Sequence, residues 1–174
     1  MLGIALIFFA LVLSGCTSPQ RSIEGLAATA GYTRRVVDGS YFEHVVYESR
    51  LKPYSTPELH IYIEGDGSPW ASGGYPSADP TPRQPVALQL MMEDPAAAIY
   101  LGRPCYLGLS ATKSCNPAFW TSKRYSAEVV DSLLAVIRHY REQYNAEKIL
   151  LIGYSGGGTL AALLAREIKP PVFL

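Results

Sequence analysis

The chain has 174 residues, of which 48% are hydrophobic, and it carries 15 Lys plus Arg against 15 Asp plus Glu. This composition is ordinary for one globular domain of modest size. The zero formal net charge and the absence of a run of Lys or Arg give no electrostatic reason to expect nucleic acid or another strongly charged surface as a partner. We therefore predict a single domain that does not bind nucleic acid.

The N-terminal segment is apolar. Its first fifteen residues, MLGIALIFFALVLSG, contain no charged side chain and are too short to span a bilayer comfortably as a helix. Such a segment is typical of an export signal. It ends in LSGC, with the cysteine at position 16, and so resembles the lipobox of bacterial lipoproteins. In that motif the cysteine is acylated and becomes the new N-terminus after cleavage.

The lipobox resemblance implies a signal peptide over residues 1–15, a lipid anchor on Cys16 and a polar tether over residues 16–31. Ordinary secretion and a buried first helix are the alternatives. Thr17 follows Cys16, where an Asp would retain such a lipoprotein in the inner membrane. The implied location is therefore a bacterial membrane outside the cytoplasm, the outer rather than the inner one, and the implied partner is that membrane.

Two further cysteines, Cys105 and Cys115, would close a short loop. Because an exported protein meets an oxidising compartment, we predict a disulfide between them, with free thiols as the alternative. Such a bond would contribute about 2 to 3 kcal/mol by restricting the unfolded chain. A metal site is disfavoured because no second Cys or His stands at ligand spacing beside either cysteine.

Four β-rich segments occupy the first hundred residues. Residues 32–37 and 41–48 are rich in Val and Tyr and are separated by an Asp-Gly pair, which predicts a hairpin of edge strands. Residues 59–63 predict a third strand that ends at a glycine turn, residues 64–67. Residues 97–101 predict a buried fourth strand.

A long irregular segment, residues 65–85, separates the third strand from a short predicted helix over residues 85–92. The segment holds four Gly and five Pro together with Trp70 and Tyr75. Irregular segments of this length are usually tied to function, so we predict that it lines a pocket, with a solvated surface loop as the alternative. In the helix we expect Val86, Leu90 and Met91 to be buried.

The second half alternates between helices and a strand. Residues 126–144 carry apolar side chains at helical spacing behind Ser126 as the N-cap, with the acidic Glu128 in the first turn. Residues 148–152 predict an apolar strand, and residues 159–168 predict another helix. Two edge strands followed by alternating strands and helices predict an α/β domain with a mostly parallel central sheet and flanking helices.

The sequence GYSGG, from Gly153 to Gly157, fits the G-x-S-x-G pattern of a nucleophile elbow. In that motif glycines permit a strained turn that exposes the serine hydroxyl, and the motif requires a strand before it and a helix after it. Both are predicted here. A rival pattern, the dinucleotide fingerprint over residues 156–161, needs an acidic residue about twenty positions on, which this chain does not contain. A P-loop is excluded because no Lys follows the glycines.

Together with YIEGDG at residues 62–67, GYSGGG at residues 153–158 resembles the α/β-hydrolase superfamily, especially its bacterial lipoprotein members, over residues 32–174. The resemblance implies Ser155 as the nucleophile and an oxyanion hole formed by the backbone N–H groups of Gly156 and Asp66. Gly65 or Gly67 could replace Asp66, and Glu64 and Asp66 could simply order the turn. It further implies hydrolysis of an ester, thioester or amide of a small molecule or lipid through an acyl-enzyme, without a cofactor or a metal.

The superfamily places an Asp or Glu and then a His after the nucleophile. Among the nineteen residues that follow Ser155, Glu167 is the single acid and there is no His. His44, His60 and His139 fall on elements predicted to lie away from the serine. We therefore expect at most residual activity from these 174 residues, and we interpret them as a fragment or disrupted reading frame. The alternative is a non-catalytic binding or scaffold protein with a hydrolase fold.

Overall fold

The computed structural model describes residues 18–49 and 57–168. The predicted signal peptide, Cys16 and residues 169–174 lie outside these ranges. The helices and strands, in chain order, are α1 (Pro19–Thr29), β1 (Thr33–Asp38), β2 (Glu43–Glu48), β3 (Glu58–Ile63), α2 (Val86–Met92), β4 (Ala98–Leu101), α3 (Ala127–Gln143), β5 (Lys148–Gly153) and α4 (Gly156–Ala165). None of the helices in the described ranges is long and apolar enough to cross a membrane.

The five strands form one sheet in the order β1-β2-β4-β3-β5. Strands β4, β3 and β5 run parallel to one another. The predicted hairpin of β1 and β2 is present, and it joins the sheet antiparallel to β4. The α/β architecture and the edge hairpin expected from the sequence are thus confirmed. Because β3, β4 and β5 are parallel, their carboxyl ends lie together at one end of the sheet. We call this end of the sheet the active-site edge.

The core lies between this sheet and the helices. Strand β4 is buried along its whole length, and α3 buries the apolar face that its spacing predicted. Two details differ from expectation. In α2, Leu90 is half exposed, and Ala87 and Leu88 are buried together with Met91. Ser126 does occupy the N-cap position of α3, but its hydroxyl makes no capping hydrogen bond.

The prediction of a polar tether over residues 16–31 is wrong from residue 19 onward, because α1 is part of the folded domain. The Ser18 hydroxyl accepts a hydrogen bond from the backbone N–H of Arg21, and proline occupies the first helical position. Ile23 and Ala27 are completely buried in the core. Their spacing of four residues places both on one face of the helix, and the partly buried Leu26 also packs against the core.

His44, on β2, makes the stability of this fold sensitive to pH. Its Nδ1–H donates to the carbonyl oxygen of Gly102 at 2.9 Å, and its Nε2 lies 2.8 Å from the Ser132 hydroxyl. Burial lowers the pKa of His44 from 6.5 to about 4, against the smaller opposing effect of the Gly102 hydrogen bond. The folded state therefore favours the neutral ring.

We predict that the stabilisation associated with neutral His44 is fully present above pH 6.5 and is lost as the pH falls towards 4. A shift of this size corresponds to about 3 kcal/mol. Denaturant unfolding at pH 7 and pH 4.5 measures it. The wild type should lose more stability on acidification than His44→Gln, whereas His139→Gln, at an exposed position on α3, should behave like the wild type. Equal losses in wild type and His44→Gln would contradict the assignment.

The predicted disulfide joins Cys105 and Cys115, whose Cα atoms are 5.6 Å apart. It closes part of the connection between β4 and α3. We expect the double variant Cys105→Ser/Cys115→Ser to lose about 2 to 3 kcal/mol of unfolding free energy, because the unfolded chain regains the entropy of a ten-residue separation. Denaturant unfolding of wild type and double variant tests this. Unchanged stability would show that the bond restricts little in the unfolded state.

Candidate active site

Ser155 lies at the junction of β5 and α4 in a backbone conformation that non-glycine residues rarely adopt, with φ 50° and ψ −120°. The turn is tight because two glycines allow close approach of backbone. A Cβ on Gly153 would clash with the backbone of Gly157, and a Cβ on Gly157 would clash with the carbonyl oxygen of Ile63 on β3. Helix α4 consequently starts at Gly156, three residues before the predicted start. A strained serine between a strand and a helix has the geometry expected of a nucleophile elbow.

The turn after β3 packs directly against this serine. The Tyr154 N–H donates to the carbonyl oxygen of Ile63 at 3.0 Å, and a Cβ on Gly65 would lie 3.2 Å from the Ser155 Cβ. The two glycine-rich motifs identified in the sequence therefore meet at the active-site edge.

The backbone N–H groups near Ser155 differ in their availability. The Gly65 N–H donates to the Glu64 carboxylate at 3.1 Å, so it is already used. In the part of the chain that the structure describes, the N–H groups of Asp66, Gly67 and Gly156 donate to no protein acceptor. The Gly65 N–H is therefore poorly suited to donate a hydrogen bond to an oxyanion, whereas the N–H groups of Asp66, Gly67 and Gly156 are free to do so.

Glu64 orders the turn, as one of the sequence alternatives proposed. Its side chain is buried, and its carboxylate accepts hydrogen bonds from the N–H groups of Gly65 and Ala87. Burial raises the pKa of Glu64, although these N–H groups and the charge of Arg103 oppose the shift. The contact with Ala87 fixes the start of α2 relative to the end of β3.

Asp66 is held by a set of four side chains that we call the Asp66 clamp: Arg103, Tyr106, Arg124 and Tyr125. Arg103 Nη1 lies 2.5 Å from Oδ1 and Arg124 Nε lies 3.0 Å from Oδ2. The Tyr125 hydroxyl lies 2.8 and 2.9 Å from the two carboxylate oxygens, and the Tyr106 hydroxyl donates to the Asp66 carbonyl oxygen at 2.9 Å. The turn is thus fixed through both its side chain and its backbone.

Electrostatics explain how an acidic residue can lie so close to Ser155. Burial alone would raise the pKa of Asp66, but the hydrogen bond and charge of Arg103, followed by Tyr125 and Arg124, outweigh burial and hold that pKa below its ordinary value. The Arg103 side chain is only 1% exposed. Asp66 is therefore ionised and paired with two guanidinium groups, whose combined positive charge exceeds its own negative charge.

A cavity of about 460 Å³ opens beside Ser155. Its walls come from the turn after β3, the start of α2 and the elbow: Glu64, Gly65, Asp66, Gly67, Pro82, Arg83, Gln84, Val86, Tyr154 and Ser155. The two ends of the irregular segment 65–85 therefore line a pocket. Trp70 and Tyr75, in the middle of that segment, are exposed and do not line this cavity.

None of the three histidines of the chain lies beside Ser155. His44 is bonded to Gly102 and Ser132. His60 lies near the start of β3, with its ring nitrogens 2.6 Å from Asp94 and 2.9 Å from Glu58. His139 lies in the second half of α3. Each occupies the structural position that the sequence argument gave it.

The clamp residues Arg103, Tyr106, Arg124 and Tyr125 were missed in the sequence. All four lie in the connection between β4 and α3, whose only marked feature in the sequence was its pair of cysteines. The connection has four basic residues and no acidic residue, a signal that could have suggested a partner elsewhere. It could not have identified Asp66 as that partner.

A scan against models of protein families found no match, and a search of curated protein sequences also found none. Solved structures resemble the chain at low identity. An α/β serine hydrolase homologue from Coxiella burnetii is 19% identical with a TM-score of 0.49, and the match covers 79% of this chain and 58% of that one. An α/β serine hydrolase without a lid from Xanthomonas campestris is 17% identical with a TM-score of 0.49, covering 80% and 57%.

A protein of unknown function from Agrobacterium tumefaciens, provisionally assigned to the α/β hydrolases, is 13% identical with a TM-score of 0.53, covering 80% of this chain and 56% of that one. The chain thus spans somewhat more than half the length of each of these three structures. What the chain shares with the Agrobacterium tumefaciens structure is the α/β-hydrolase fold, over part of that structure's length.

Proposed function

We propose that this chain, which has the α/β-hydrolase fold, is the nucleophile-bearing part of a lipid-anchored serine hydrolase that cleaves an ester, thioester or amide. The observation that carries the proposal is the strained backbone of Ser155 between β5 and α4, beside an open cavity. Such strain persists only where the surrounding structure enforces it, and it clusters at functional sites. No cofactor is required for this chemistry.

In the proposed reaction, Ser155 Oγ forms a bond to the substrate carbonyl carbon, and a base removes the hydroxyl proton. The carbonyl oxygen becomes an oxyanion that accepts hydrogen bonds from the N–H groups of Gly156 and Asp66. Collapse of this intermediate breaks the bond to the leaving group, which takes up the proton and leaves an acyl-enzyme. Water then attacks the acyl carbon, releases the acid and restores the serine.

The Asp66 clamp supports this assignment of the oxyanion hole. Because Arg103 and Arg124 bind the Asp66 carboxylate, that negative charge is compensated where the oxyanion would form. The Tyr106 hydroxyl fixes the neighbouring peptide through the Asp66 carbonyl oxygen. Donors held in place before the reaction stabilise developing charge without reorganisation.

Activation of Ser155 needs a general base, and no histidine of this chain is placed to act as one. General bases contribute about 10²- to 10⁴-fold to such reactions, so we propose that the 174-residue chain has weak activity. The cavity beside Ser155 is large enough to admit a molecule the size of imidazole. Added imidazole should therefore replace part of the missing function.

The test is hydrolysis of 4-nitrophenyl acetate by the purified chain with and without imidazole. We expect an imidazole-dependent rate above that of imidazole alone, and we expect Ser155→Ala to abolish the increase because the acyl-enzyme cannot form. Ser40→Ala is the matched control, since Ser40 is an exposed serine between β1 and β2 that does not line the cavity. An equal increase in wild type and Ser155→Ala would contradict the proposal.

A further inference from the structure

Helix α1 begins at the active-site edge. The Gln20 side chain, in its first turn, lies against Gly108, where an added Cβ would be 2.5 Å from Gln20 Oε1. Gly108 belongs to the connection after β4 that also carries Tyr106 of the Asp66 clamp. The start of α1 is therefore close to the loops that build the site.

The other end of α1 lies at the opposite edge of the sheet. Tyr32, just after the helix, donates its hydroxyl to the carbonyl oxygen of Met91 at 3.1 Å. Met91 is in the last turn of α2, which precedes the start of β4. Helix α1 thus runs from the active-site edge to the opposite edge, antiparallel to β3, β4 and β5.

The direction of α1 determines on which side of the domain a lipid attached to Cys16 would lie. Cys16 precedes Ser18, the first described residue, by two positions, and two residues of chain span at most about 7 Å. A lipid attached there would hold the start of α1, and with it the active-site edge, close to the bilayer surface. A long flexible tether would impose no such orientation.

The surface at this edge suits a lipid bilayer. Trp70, Tyr75 and Tyr154 are 53%, 74% and 46% exposed, and they belong to segments that follow β3 and β5. Trp and Tyr side chains favour the membrane–water interface because an apolar ring carries a polar group. In the connection after β4, which contains no acidic residue, Lys113 is exposed, and this favours contact with anionic lipid headgroups.

We propose that the active-site edge faces the bilayer that holds the Cys16 lipid, and that the substrate is an acyl ester of a membrane lipid. The ester would enter the cavity beside Ser155 from that bilayer. Its hydrolysis would consume one water and release one fatty acid and the deacylated lipid. The proposal rests on the proposed function for its chemistry and on lipidation of Cys16 for its geometry.

The two tryptophans provide the test, because Trp70 is exposed at this edge and Trp120 is only 3% exposed. The full chain is made in a bacterial host and reconstituted into vesicles of phosphatidylcholine and phosphatidylglycerol. Tryptophan emission is then measured with and without a brominated lipid that quenches tryptophan near the bilayer surface. We expect loss of most of the Trp70 emission. In Trp70→Phe, where Trp120 alone emits, the loss should disappear.

Two further variants control for orientation. His139→Trp in the Trp70→Phe background places a reporter on an exposed position toward the opposite edge, and it should not be quenched. Inserting twenty Gly and Ser residues between Thr17 and Ser18 adds a flexible tether of about 25 Å, which should reduce quenching of Trp70. The same insertion should slow imidazole-dependent release of fatty acid from vesicle lipids.

Equal quenching of Trp70 and of a tryptophan at position 139 would overturn the proposed orientation, as would failure of the chain to sediment with vesicles. Release of fatty acid that is unaffected by the inserted tether would overturn delivery of the substrate from the anchoring bilayer. Ser155→Ala should keep the quenching of Trp70. If the orientation is correct but Ser155 is not a nucleophile, quenching will persist while hydrolysis is absent, so the two proposals fail separately.

Discussion

Replacing Asp66 with alanine is expected to lower the free energy of unfolding by about 3 to 5 kcal/mol. The Arg103 side chain, which is 1% exposed, would lose the carboxylate that pairs with it at 2.5 Å. Tyr125 would lose both of its carboxylate acceptors at the same time. A buried guanidinium without a counter-charge is far more costly than a lost surface ion pair, because water cannot replace the missing partner.

Denaturant unfolding measures this loss, and two other aspartate variants help to interpret it. Asp66→Asn keeps an oxygen acceptor but removes the charge, so it should lie between wild type and Asp66→Ala. Asp131→Ala, at an exposed position on α3, should change stability by less than about 0.5 kcal/mol. If Asp66→Ala and Asp131→Ala were equally stable, the clamp would contribute nothing to the fold.

Substituting alanine for Gly157 is expected to cost about 3 kcal/mol, the upper range for overpacking a well-packed interior. The new Cβ would clash with the carbonyl oxygen of Ile63 and lie 2.7 Å from that of Glu64. Both atoms belong to the backbone at the end of β3, which is paired with β4 and β5 on its two sides. The strand therefore cannot move away, and the elbow would have to open.

The neighbouring glycine supplies a control of opposite sign. A Cβ on Gly158 would meet nothing closer than the Gly153 carbonyl oxygen at 3.5 Å, an ordinary contact. Because alanine is the better helix former by about 1 kcal/mol, Gly158→Ala should leave stability unchanged or raise it. Thermal or denaturant unfolding of the Gly157→Ala and Gly158→Ala variants measures the two effects on stability. Equal effects of the two substitutions would show that Gly157 is not needed for close approach.

The sequence predicted the elements whose local pattern matches their environment. Strands β3, β4 and β5 are short apolar runs bounded by turn residues, and α3 carries a regular apolar face. The position of Ser155 was also predictable, since glycines, a strand and a helix around it are all local signals. Helix α1 was missed because it contacts the core through only a few side chains, Ile23, Leu26 and Ala27, in a segment that begins with polar and charged residues.

The Asp66 clamp was not predictable because it joins residues that are far apart in the chain. Arg103 and Tyr125 are separated from Asp66 by 37 and 59 positions, and no local pattern links them. The start of α4 was predicted three residues too late because it, too, depends on a contact with another part of the chain. Glycines are poor helix formers, but the requirement for close backbone approach at the elbow overrides that preference.

The most direct test of the central claim, that Ser155 is a hydrolase nucleophile, is to locate the site of covalent modification by a fluorophosphonate. The purified chain is incubated with the reagent and imidazole, digested and analysed by mass spectrometry. We predict one adduct, on the peptide that contains Ser155, and no adduct in the folded Ser155→Ala variant. A folded wild-type chain that remains unmodified at Ser155, or that is modified equally at other serines, would contradict the claim.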